Sequence, residues 1–341
     1  MIRIALNGFG RIGKNFLRAY LDDVTAQKHF TIVAINIGPV DIETVAYMIK
    51  FDSLLNAFNK EVVVHGPELL IDRHKIILIQ ELDASKLPWV KLAIDLVVDA
   101  TGRYTHADQA RQHIASGAKK VVITAPAHHE DITIVMGVNH HEYNGDKHDI
   151  ISLGSCTTNA LAPLIHVMKL NMRLESIIVN TVHAYTNNQA LLDVNPHVKD
   201  VRTSRAAALN IIPTTTGAAI SLATVFPEYR DFMAAQALRV PTPIVSLADI
   251  TCVVDRVISA EQIDSWFCAA EDTFLKNIVA TTAEKLVSTD FQGNSHSVIF
   301  DRTLTLINGR LIRLHGWYDN EWAYSNRIKD FLIIADNRIR Q

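Results

Sequence analysis

The sequence predicts an α/β protein with a doubly wound, largely parallel sheet, followed by an α+β domain with a mixed or antiparallel sheet. In the first half of the chain, apolar strand-like runs alternate with amphipathic helical stretches. Several of these runs are nearly unbroken Val and Ile, which is typical of parallel strands buried on both faces. After residue 156 the β-type runs become longer. These observations predict two domains of different architecture.

The composition favours a compact protein over a disordered one. The 341 residues are 48% hydrophobic and 20% charged, and the formal net charge is −3. That net charge gives no reason to expect a nucleic-acid-binding surface, which usually needs a strongly basic face. The sequence shows no apolar run of the roughly 20 residues that a membrane helix needs, and its first ten residues already read as a strand and a turn. The three cysteines are widely separated, so we expect no disulfide framework and a cytoplasmic location.

The first half contains the alternating elements. Helices are predicted from Arg11 to about Asp23, over 41–50 and over about 106–116. Two neighbouring runs, 61–65 and 75–80, are interpreted as a hairpin. The remaining strands are predicted at 2–7, 31–36, 94–101, 119–125 and 132–138.

The second half begins with a helix, predicted over 157–170. Later β-type runs indicate a mixed or antiparallel sheet with helices on one face. The last segment is an amphipathic helix that could return to the first domain. We therefore expect a first domain over 1–155, a second domain over 156–321 and a C-terminal helix over about 322–341.

A glycine-rich turn directly follows the first predicted strand and opens a helix. Glycines in a GxGxxG pattern allow a tight turn and let a pyrophosphate approach the N–H groups at the helix N-terminus. With a second strand following, the pattern predicts a Rossmann-type dinucleotide-binding domain. Its candidate cofactor residues are Gly8, Phe9, Gly10, Arg11, Ile12 and Gly13.

The second strand ends without the acidic residue that usually binds the adenosine ribose. Asn36 ends that strand, Ile37 follows it, and the nearest acids, Asp41 and Glu43, come several residues later. Because no carboxylate lies there to repel a 2′-phosphate, the site could bind NADP as well as NAD. The alternative is that Asn36 and backbone groups hold the ribose of NAD well enough.

Two other patterns remain ambiguous from the residues alone. The segments His128–Glu130 and His140–Glu142 lack the HExxH spacing of a helical metal site, so we interpret these histidines as solvated loop residues and expect no metal. Cys156 follows a strand-like run in "ISLGSCTTNA". It could be a packing thiol, a redox or metal ligand, or a nucleophile.

Motifs along nearly the whole chain resolve this ambiguity. The chain resembles phosphorylating glyceraldehyde-3-phosphate dehydrogenases, because nine motifs occur in the same order. They are "ALNGFGRIGKN", "ATGRYT", "GAKKVVITAPA", "DITIVMGVN", "SCTTNALAPL", "TVHAYTNNQ", "RAAALNIIPTTTGAA", "LRVPTP" and "WYDNEWAYSNR".

The resemblance implies a nucleophile and a base. Cys156 matches the cysteine that attacks the aldehyde, and His183 matches the base that takes the hydroxyl proton as hydride leaves for the nicotinamide. Inorganic phosphate then attacks the resulting thioester. A helix N-terminus and a nearby imidazolium would both favour the thiolate form of Cys156, and the Cys156 N–H with protonated His183 could stabilise the oxyanion.

The resemblance also implies two phosphate sites and further cofactor contacts. Thr186 and Arg239 match the residues that hold the substrate's phosphate. Asn320 matches the side chain that binds the nicotinamide amide, and Thr124 lies where the family lines the cofactor groove. The attacking phosphate is assigned to Ser155, Thr157, Thr216 and Gly217, with Arg205 near both sites.

Some positions depart from the family pattern. Ile37 replaces an aspartate, Leu82 an arginine and Leu153 an amide, while Ala160 stands where many relatives carry a second cysteine. The segment 191–205 is about two residues longer than usual. Erythrose-4-phosphate dehydrogenase is the nearest alternative; a Cys/His hydrolase or a non-catalytic nucleotide-binding protein would leave several motifs unexplained. The family also implies a homotetramer with no nucleic-acid or membrane partner.

Overall fold

The computed structural model describes residues 1–195 and 200–339, which form two compact units. The first unit contains Met1–Ile134, His140–Gly154 and the chain from Ser325 onward. The second contains Val135–Asn139 and Ser155–Tyr324. This division is finer than the single predicted boundary after residue 155, because residues 135–139 and Ser155 belong to the second unit.

The first unit is built on a mostly parallel sheet in the order β3-β4-β5-β2-β1-β6-β7-β9-β8. Only the β3–β4 and β4–β5 pairs of this sheet are antiparallel within the described residues. The sheet order reverses at β1, which pairs with both β2 and β6. The strands are β1 Ile2–Asn7, β2 Phe30–Asn36, β3 Val62–His65, β4 Glu68–Ile71, β5 His74–Ile79, β6 Leu96–Asp99, β7 Lys120–Ile123, β8 Ile132–Thr133 and β9 Ile150–Ser152.

The helices of the first unit are α1 Arg11–Leu21, α2 Ala26–His29, α3 Ile42–Lys50, α4 Trp89–Leu92 and α5 Ala107–Ala115. Three of them, α1, α3 and α5, lie where they were predicted, whereas the short helices α2 and α4 were not predicted. The apolar runs of β6 and β7 are buried along their full length, as the Val-rich sequence predicts.

The second unit has a mixed sheet in the order β11-β12-β10-β13-β17-β15-β14, with β16 pairing only with β17 among the described residues. The strands are β10 Leu174–Ala184, β11 Ile212–Thr214, β12 Met233–Val240, β13 Ser246–Val254, β14 Val279–Thr282, β15 Val298–Asp301, β16 Leu306–Asn308 and β17 Leu311–Tyr318. The helices are α6 Cys156–Asn171, α7 Ala218–Val225, α8 Ala260–Asp272 and α9 Trp322–Ile339, whose residues from Ser325 onward belong to the first unit.

The structure confirms the predicted fold class and corrects two local predictions. The strand predicted over 132–138 is limited to Ile132–Thr133, and residues 135–139 belong to the second unit. The runs 61–65 and 75–80 do not pair as a hairpin, because β4 lies between β3 and β5 and pairs with both. The sequence "ELLI" of β4 was missed because four residues between two turns give too short an alternation to recognise. Helices α7 and α8 were also absent from the prediction.

Candidate active site

A pocket in the first unit lies where its central parallel strands end. It is lined by residues after β1, β2, β5 and β6, which is where open α/β sheets bind ligands. Of the predicted cofactor residues, Arg11, Ile12, Gly13, Thr124 and Asn320 are outside its lining. Those that line it are Gly8, Phe9, Gly10, Asn36 and Ile37.

The glycine turn fits the approach of a pyrophosphate. Gly8 has φ +101°, and a Cβ there would lie 2.8 Å from the carbonyl carbon of Ala100. A Cβ at Gly13 would lie 2.4 Å from the Gly8 oxygen. These two glycines are therefore required by the protein's own packing. A Cβ at Gly10 meets no heavy atom within 4 Å, so the open space at the start of α1 is where a ligand can reach the backbone.

The side chain of Asn36 is bonded to the protein at the edge of the pocket and does not present a free amide to a ligand. Its Nδ2 donates to Asn7 Oδ1 and to the Glu81 carbonyl oxygen, each at 2.7 Å. Its Oδ1 accepts from the N–H of Glu81 at 3.1 Å. Ile37 is buried. Asn36 therefore positions the loop after β5, and the pocket's backbone is held in place before any ligand binds.

In the second unit, Cys156 is the first residue of α6. Ser155 caps this helix: its Oγ accepts from the Thr158 N–H at 3.0 Å, and Thr158 Oγ1 accepts from the Ser155 N–H at 3.2 Å. This capping box fixes where the helix begins. The thiol therefore lies at the positive end of the helix dipole, which favours its thiolate form.

His183 and Arg239 lie side by side on parallel strands β10 and β12. The Cys156 Sγ is 3.6 Å from His183 Nε2. On the other side of the ring, Nδ1 is 2.7 Å from Arg239 Nη1 and 2.7 Å from the Ala184 carbonyl oxygen. The sheet register therefore brings together the predicted nucleophile, the predicted base and one predicted phosphate ligand.

Burial favours the neutral form of both reactive groups. Burial raises the pKa of the Cys156 thiol, although the Arg239 charge and hydrogen bonds from Thr157 oppose this. Burial and the Arg239 charge together lower the pKa of His183 to about 3. The structure thus differs from the expected imidazolium: Arg239, not His183, is the cation beside the thiol. A neutral imidazole is the form that a general base requires.

Tyr318, at the end of β17, was missed by the sequence analysis. Its hydroxyl lies 3.0 Å from Thr157 Oγ1 and 2.8 Å from Thr181 Oγ1. Burial raises its pKa, so the phenol stays protonated and ties β17 to β10 and to the first turn of α6. Its place in "WYDNEW" beside Asn320 was the available signal.

The other predicted site residues of the second unit are more dispersed. Thr186 contacts Gln189 Oε1 through its N–H and hydroxyl. Arg205 is exposed and forms an ion pair with Asp193 at 2.6 Å. Asn320 is buried and accepts a hydrogen bond from Ser246 at 3.2 Å.

Two more of these residues start α7. Gly217 is its N-cap residue. Thr216 Oγ1 accepts from the N–H of Ala218, the first residue of that helix, at 3.2 Å. In the first unit, Thr124 donates twice to the Asp99 carbonyl oxygen at 3.0 Å. Thr216 thus holds the backbone at the start of α7, and Thr124 holds the segment after β7 against the end of β6.

The described residues are 1–195 and 200–339. Within them, no group of three or more His, Cys, Asp and Glu side chains is arranged to hold a metal ion. The helices in these same ranges are too short or too polar for one to cross a bilayer.

Family comparisons agree with this geometry. The NAD-binding domain of glyceraldehyde 3-phosphate dehydrogenase matches residues 2–107, and the C-terminal domain of the same family matches residues 155–320. Glyceraldehyde-3-phosphate dehydrogenase 2 of Bacillus subtilis is 43% identical over 97% of this chain and 96% of its own length. The chain belongs to the glyceraldehyde-3-phosphate dehydrogenase family. It is an enzyme of that family, and the resemblance seen in its motifs is confirmed.

Other family members match equally widely. The Streptomyces coelicolor glyceraldehyde-3-phosphate dehydrogenase is 42% identical over 99% of both chains. The Geobacillus stearothermophilus protein of the same name is 42% identical over 96% of both. The match to the family's NAD-binding domain supports binding of a nicotinamide dinucleotide.

The departures from the family pattern take different places in the structure. Leu153 is buried, and its N–H donates to the Ile123 carbonyl oxygen at 3.1 Å; an apolar side chain suits that position. Leu82 is exposed at the pocket rim. The longer segment predicted over 191–205 lies partly outside the described residues, since 196–199 are among those not described.

Proposed function

We propose that this protein oxidises D-glyceraldehyde 3-phosphate to 1,3-bisphosphoglycerate with NAD(P)+ and inorganic phosphate. The observation that carries the proposal is the 3.6 Å contact between Cys156 Sγ and His183 Nε2 at the start of α6. Family membership supplies the reaction class. The reaction belongs to the breakdown or synthesis of three-carbon sugar phosphates.

The first step adds the Cys156 thiol to the aldehyde. Sγ forms a bond to the carbonyl carbon, and the proton of the thiol ends on the former carbonyl oxygen, giving a hemithioacetal. The helix N-terminus and the Arg239 charge favour the thiolate that attacks, in opposition to burial. The Cys156 N–H then donates a hydrogen bond to that oxygen and stabilises the negative charge that develops on it.

The second step converts the hemithioacetal into a thioester. His183 Nε2 takes the hydroxyl proton, which requires the neutral imidazole that burial favours. When bound, NAD(P)+ supplies the hydride acceptor. Phosphate then attacks the thioester carbon, Cys156 leaves as thiolate, and the acyl phosphate departs.

Two phosphate groups need ligands in this reaction. We assign Thr186 and Arg239 to the substrate's phosphate, since a guanidinium provides forked donors to phosphate oxygens. We assign the attacking phosphate to Ser155, Thr157, Thr216 and Gly217, with Arg205 close to both. Arg205 is held by Asp193 in an exposed ion pair, which is weak enough for a phosphate to replace it.

The cofactor residues are assigned by the pocket and the family pattern. Gly8 and Gly10 would hold the pyrophosphate, Gly13 keeps α1 close to the glycine turn, and Asn320 would hold the nicotinamide amide. We propose that NAD binds and that NADP is also accepted, because apolar Ile37 offers no charge to repel a 2′-phosphate. Ile37→Asp should lower kcat/KM for NADP more than about tenfold, since like charges at contact repel strongly. Ile37→Asn is the uncharged control; equal losses in both variants would contradict this assignment.

The nearest alternative substrate is erythrose 4-phosphate, which the comparisons do not favour. The test is kcat/KM for glyceraldehyde 3-phosphate and for erythrose 4-phosphate with each cofactor. We expect the triose to be preferred by at least about tenfold, since one misplaced phosphate contact costs that much. A preference for erythrose 4-phosphate would overturn the proposed substrate. If the protein formed no NAD(P)H from either aldehyde but hydrolysed ester or amide substrates, it would be a Cys/His hydrolase.

We further propose a cytoplasmic homotetramer. The three cysteines are free, which fits a reducing compartment. In the second unit, large apolar side chains are exposed near the segment that the family uses between subunits. They include Leu191 (83% exposed), Leu192 (69%), Val201 (61%), Leu209 (79%) and Ile211 (67%). Sedimentation equilibrium tests the assembly, and a monomer at micromolar concentration would contradict it.

A further inference from the structure

Arg239, His183 and the carbonyl of Ala184 form a closed triangle of short contacts. His183 Nδ1 is 2.7 Å from Arg239 Nη1 and 2.7 Å from the Ala184 oxygen. Arg239 Nη1 is 2.9 Å from that same oxygen. All three groups are within the second unit, on paired strands β10 and β12.

The triangle cannot be satisfied by one neutral tautomer of His183. If Nδ1 carries the proton, it donates to Ala184, but its N–H then faces the N–H of Arg239. If Nδ1 carries a lone pair, it accepts from Arg239, but that lone pair then faces the Ala184 oxygen. Each neutral tautomer therefore leaves one unfavourable contact, because an imidazole nitrogen is either a donor or an acceptor.

The fixed charge of Arg239 decides between the two tautomers in the free protein. A guanidinium has only donors and does not lose its proton. Its contact with Nδ1 therefore requires the lone pair there and places the His183 proton on Nε2. That proton then points at Cys156 Sγ, 3.6 Å away. In this tautomer Nε2 cannot accept a proton from the reacting oxygen.

Arg239 also has unused binding capacity. It is partly buried, and its Nε has no hydrogen-bond partner among the described residues. A buried donor without a partner is costly, and an anion that approached the guanidinium would satisfy it. The side chain is therefore bound to His183 while still lacking one of its own bonds.

We propose that Arg239 couples binding of the substrate's phosphate to the activation of His183. This inference rests on the proposed function, in which Arg239 holds that phosphate. When the guanidinium turns to the phosphate, Nδ1 takes up a proton, and the resulting N–H donates a hydrogen bond to the Ala184 oxygen. Nε2 releases its proton, so the ring stays neutral overall and both protons exchange with water. Nε2 then presents its lone pair towards Cys156 and the hemithioacetal.

The coupling makes a prediction that simple phosphate binding does not. With a substrate that lacks a phosphate, Arg239 stays on His183 and keeps the base in the wrong tautomer. Removing Arg239 should then speed the reaction of that substrate, while it slows the reaction of the phosphorylated one. If Arg239 were only a phosphate ligand, its removal would leave the unphosphorylated substrate unaffected.

The direct test is nitrogen NMR on the full-length protein with 15N-labelled histidine, using the His183→Asn variant to assign the His183 signal. We expect the proton on Nε2 in the free protein. Addition of glycerol 3-phosphate, which carries the phosphate but no aldehyde, should move it to Nδ1. A tautomer that stays the same when glycerol 3-phosphate binds would overturn the proposal, and this test needs no Arg239 variant.

The kinetic test compares Arg239→Met with the wild type in the burst of NAD(P)H formed without inorganic phosphate. At saturating D-glyceraldehyde, the variant should be faster by roughly three- to tenfold, the size of one hydrogen bond. With glyceraldehyde 3-phosphate it should be slower. Arg256→Met, at an exposed arginine on another loop, is the control and should match the wild type with both substrates.

The two outcomes separate the coupling from the proposed function. An equal or slower burst of Arg239→Met with glyceraldehyde would overturn the coupling alone. No burst from the wild type with glyceraldehyde 3-phosphate would overturn the proposed function, whatever the tautomer of His183.

Discussion

The nucleotide pocket of the first unit and the cysteine site of the second unit use their polar side chains differently. In the pocket, Asn36 bonds to Asn7 and to both backbone groups of Glu81. In the cysteine site, His183 and Arg239 compete for one carbonyl, and burial shifts the pKa of both His183 and Cys156. A pocket that only binds can have its side-chain bonds satisfied, whereas a site that moves protons keeps groups with two possible partners.

The largest expected effect is the loss of the base in the cysteine site. His183→Asn should slow acylation by roughly 10²–10⁴-fold, the usual contribution of a general base. The burst of NAD(P)H measures this rate. His65→Asn, at an exposed histidine of the first unit, is the control and should leave the rate unchanged. If the acylation rate of His183→Asn fell by less than tenfold, another group would have to take the proton.

The glycines of the pocket separate packing from ligand binding. Gly8→Ala should lower the free energy of unfolding by about 2 kcal/mol or more, because φ +101° and a 2.8 Å contact with backbone both strain the substitution. Gly10→Ala should leave stability near that of the wild type, since its Cβ meets open space. It should nevertheless weaken NAD binding about tenfold or more by crowding the pyrophosphate. Denaturant unfolding and titration calorimetry measure the two quantities, and unchanged affinity of Gly10→Ala would place the pyrophosphate elsewhere.

The cysteine site should also be visible in the acid stability of the protein. The folded pKa of His183 is about 3, below the unfolded value near 6.5. Between these values the unfolded chain binds a proton that the folded chain does not. Stability is therefore fully present above about pH 6.5 and falls as the pH drops towards 3, by about 1.4 kcal/mol per unit. His183→Asn should flatten this slope in denaturant unfolding; an identical slope would refute the neutral imidazole.

A structural ion pair gives a smaller effect at lower pH. Burial alone would raise the pKa of Asp52, but hydrogen bonds from the Leu54 N–H and from Arg11 lower it to about 2. This contribution is present above about pH 4 and is lost as the pH falls through about 2. Asp52→Asn should therefore cost about 2 kcal/mol of unfolding free energy at pH 7. Asp22→Asn, at an exposed carboxylate, is the control, and equal losses in both variants would contradict the assignment.

The first unit was largely predictable because its signals are local. Alternating apolar runs and the turn around Gly8 depend on neighbours in the sequence, and most lie where the pattern predicts; the run predicted as a strand over 132–138 is a strand only over Ile132–Thr133. β4 was missed because a strand of only four residues can be identified only from its pairing with β3 and β5, which the sequence does not show. The predicted helix after "SLGSC" begins at Cys156 because Ser155 and Thr158 form a capping box.

The electrostatics of the cysteine site were not predictable from sequence. The family resemblance identifies Cys156 and His183 as candidates, and only the β10–β12 register places Arg239 against the imidazole. The sequence analysis expected a protonated His183, whereas the structure has a neutral His183 ring beside the Arg239 guanidinium. Tyr318 contacts Thr157 and Thr181 across 161 and 137 residues of sequence. Contacts of that range depend on the complete sheet.

The central claim, that Cys156 is the nucleophile, is tested most directly by isolating the acylated protein. The wild type is mixed with glyceraldehyde 3-phosphate and NAD without inorganic phosphate, quenched in acid and analysed by peptide mass spectrometry. We predict that the peptide containing Cys156 carries a 3-phosphoglyceroyl group and that this group is lost when phosphate is added. The Cys156→Ser variant should carry no such group. The same mass on a peptide with Cys252 or Cys268, or an acyl group that survives in Cys156→Ser, would contradict the account.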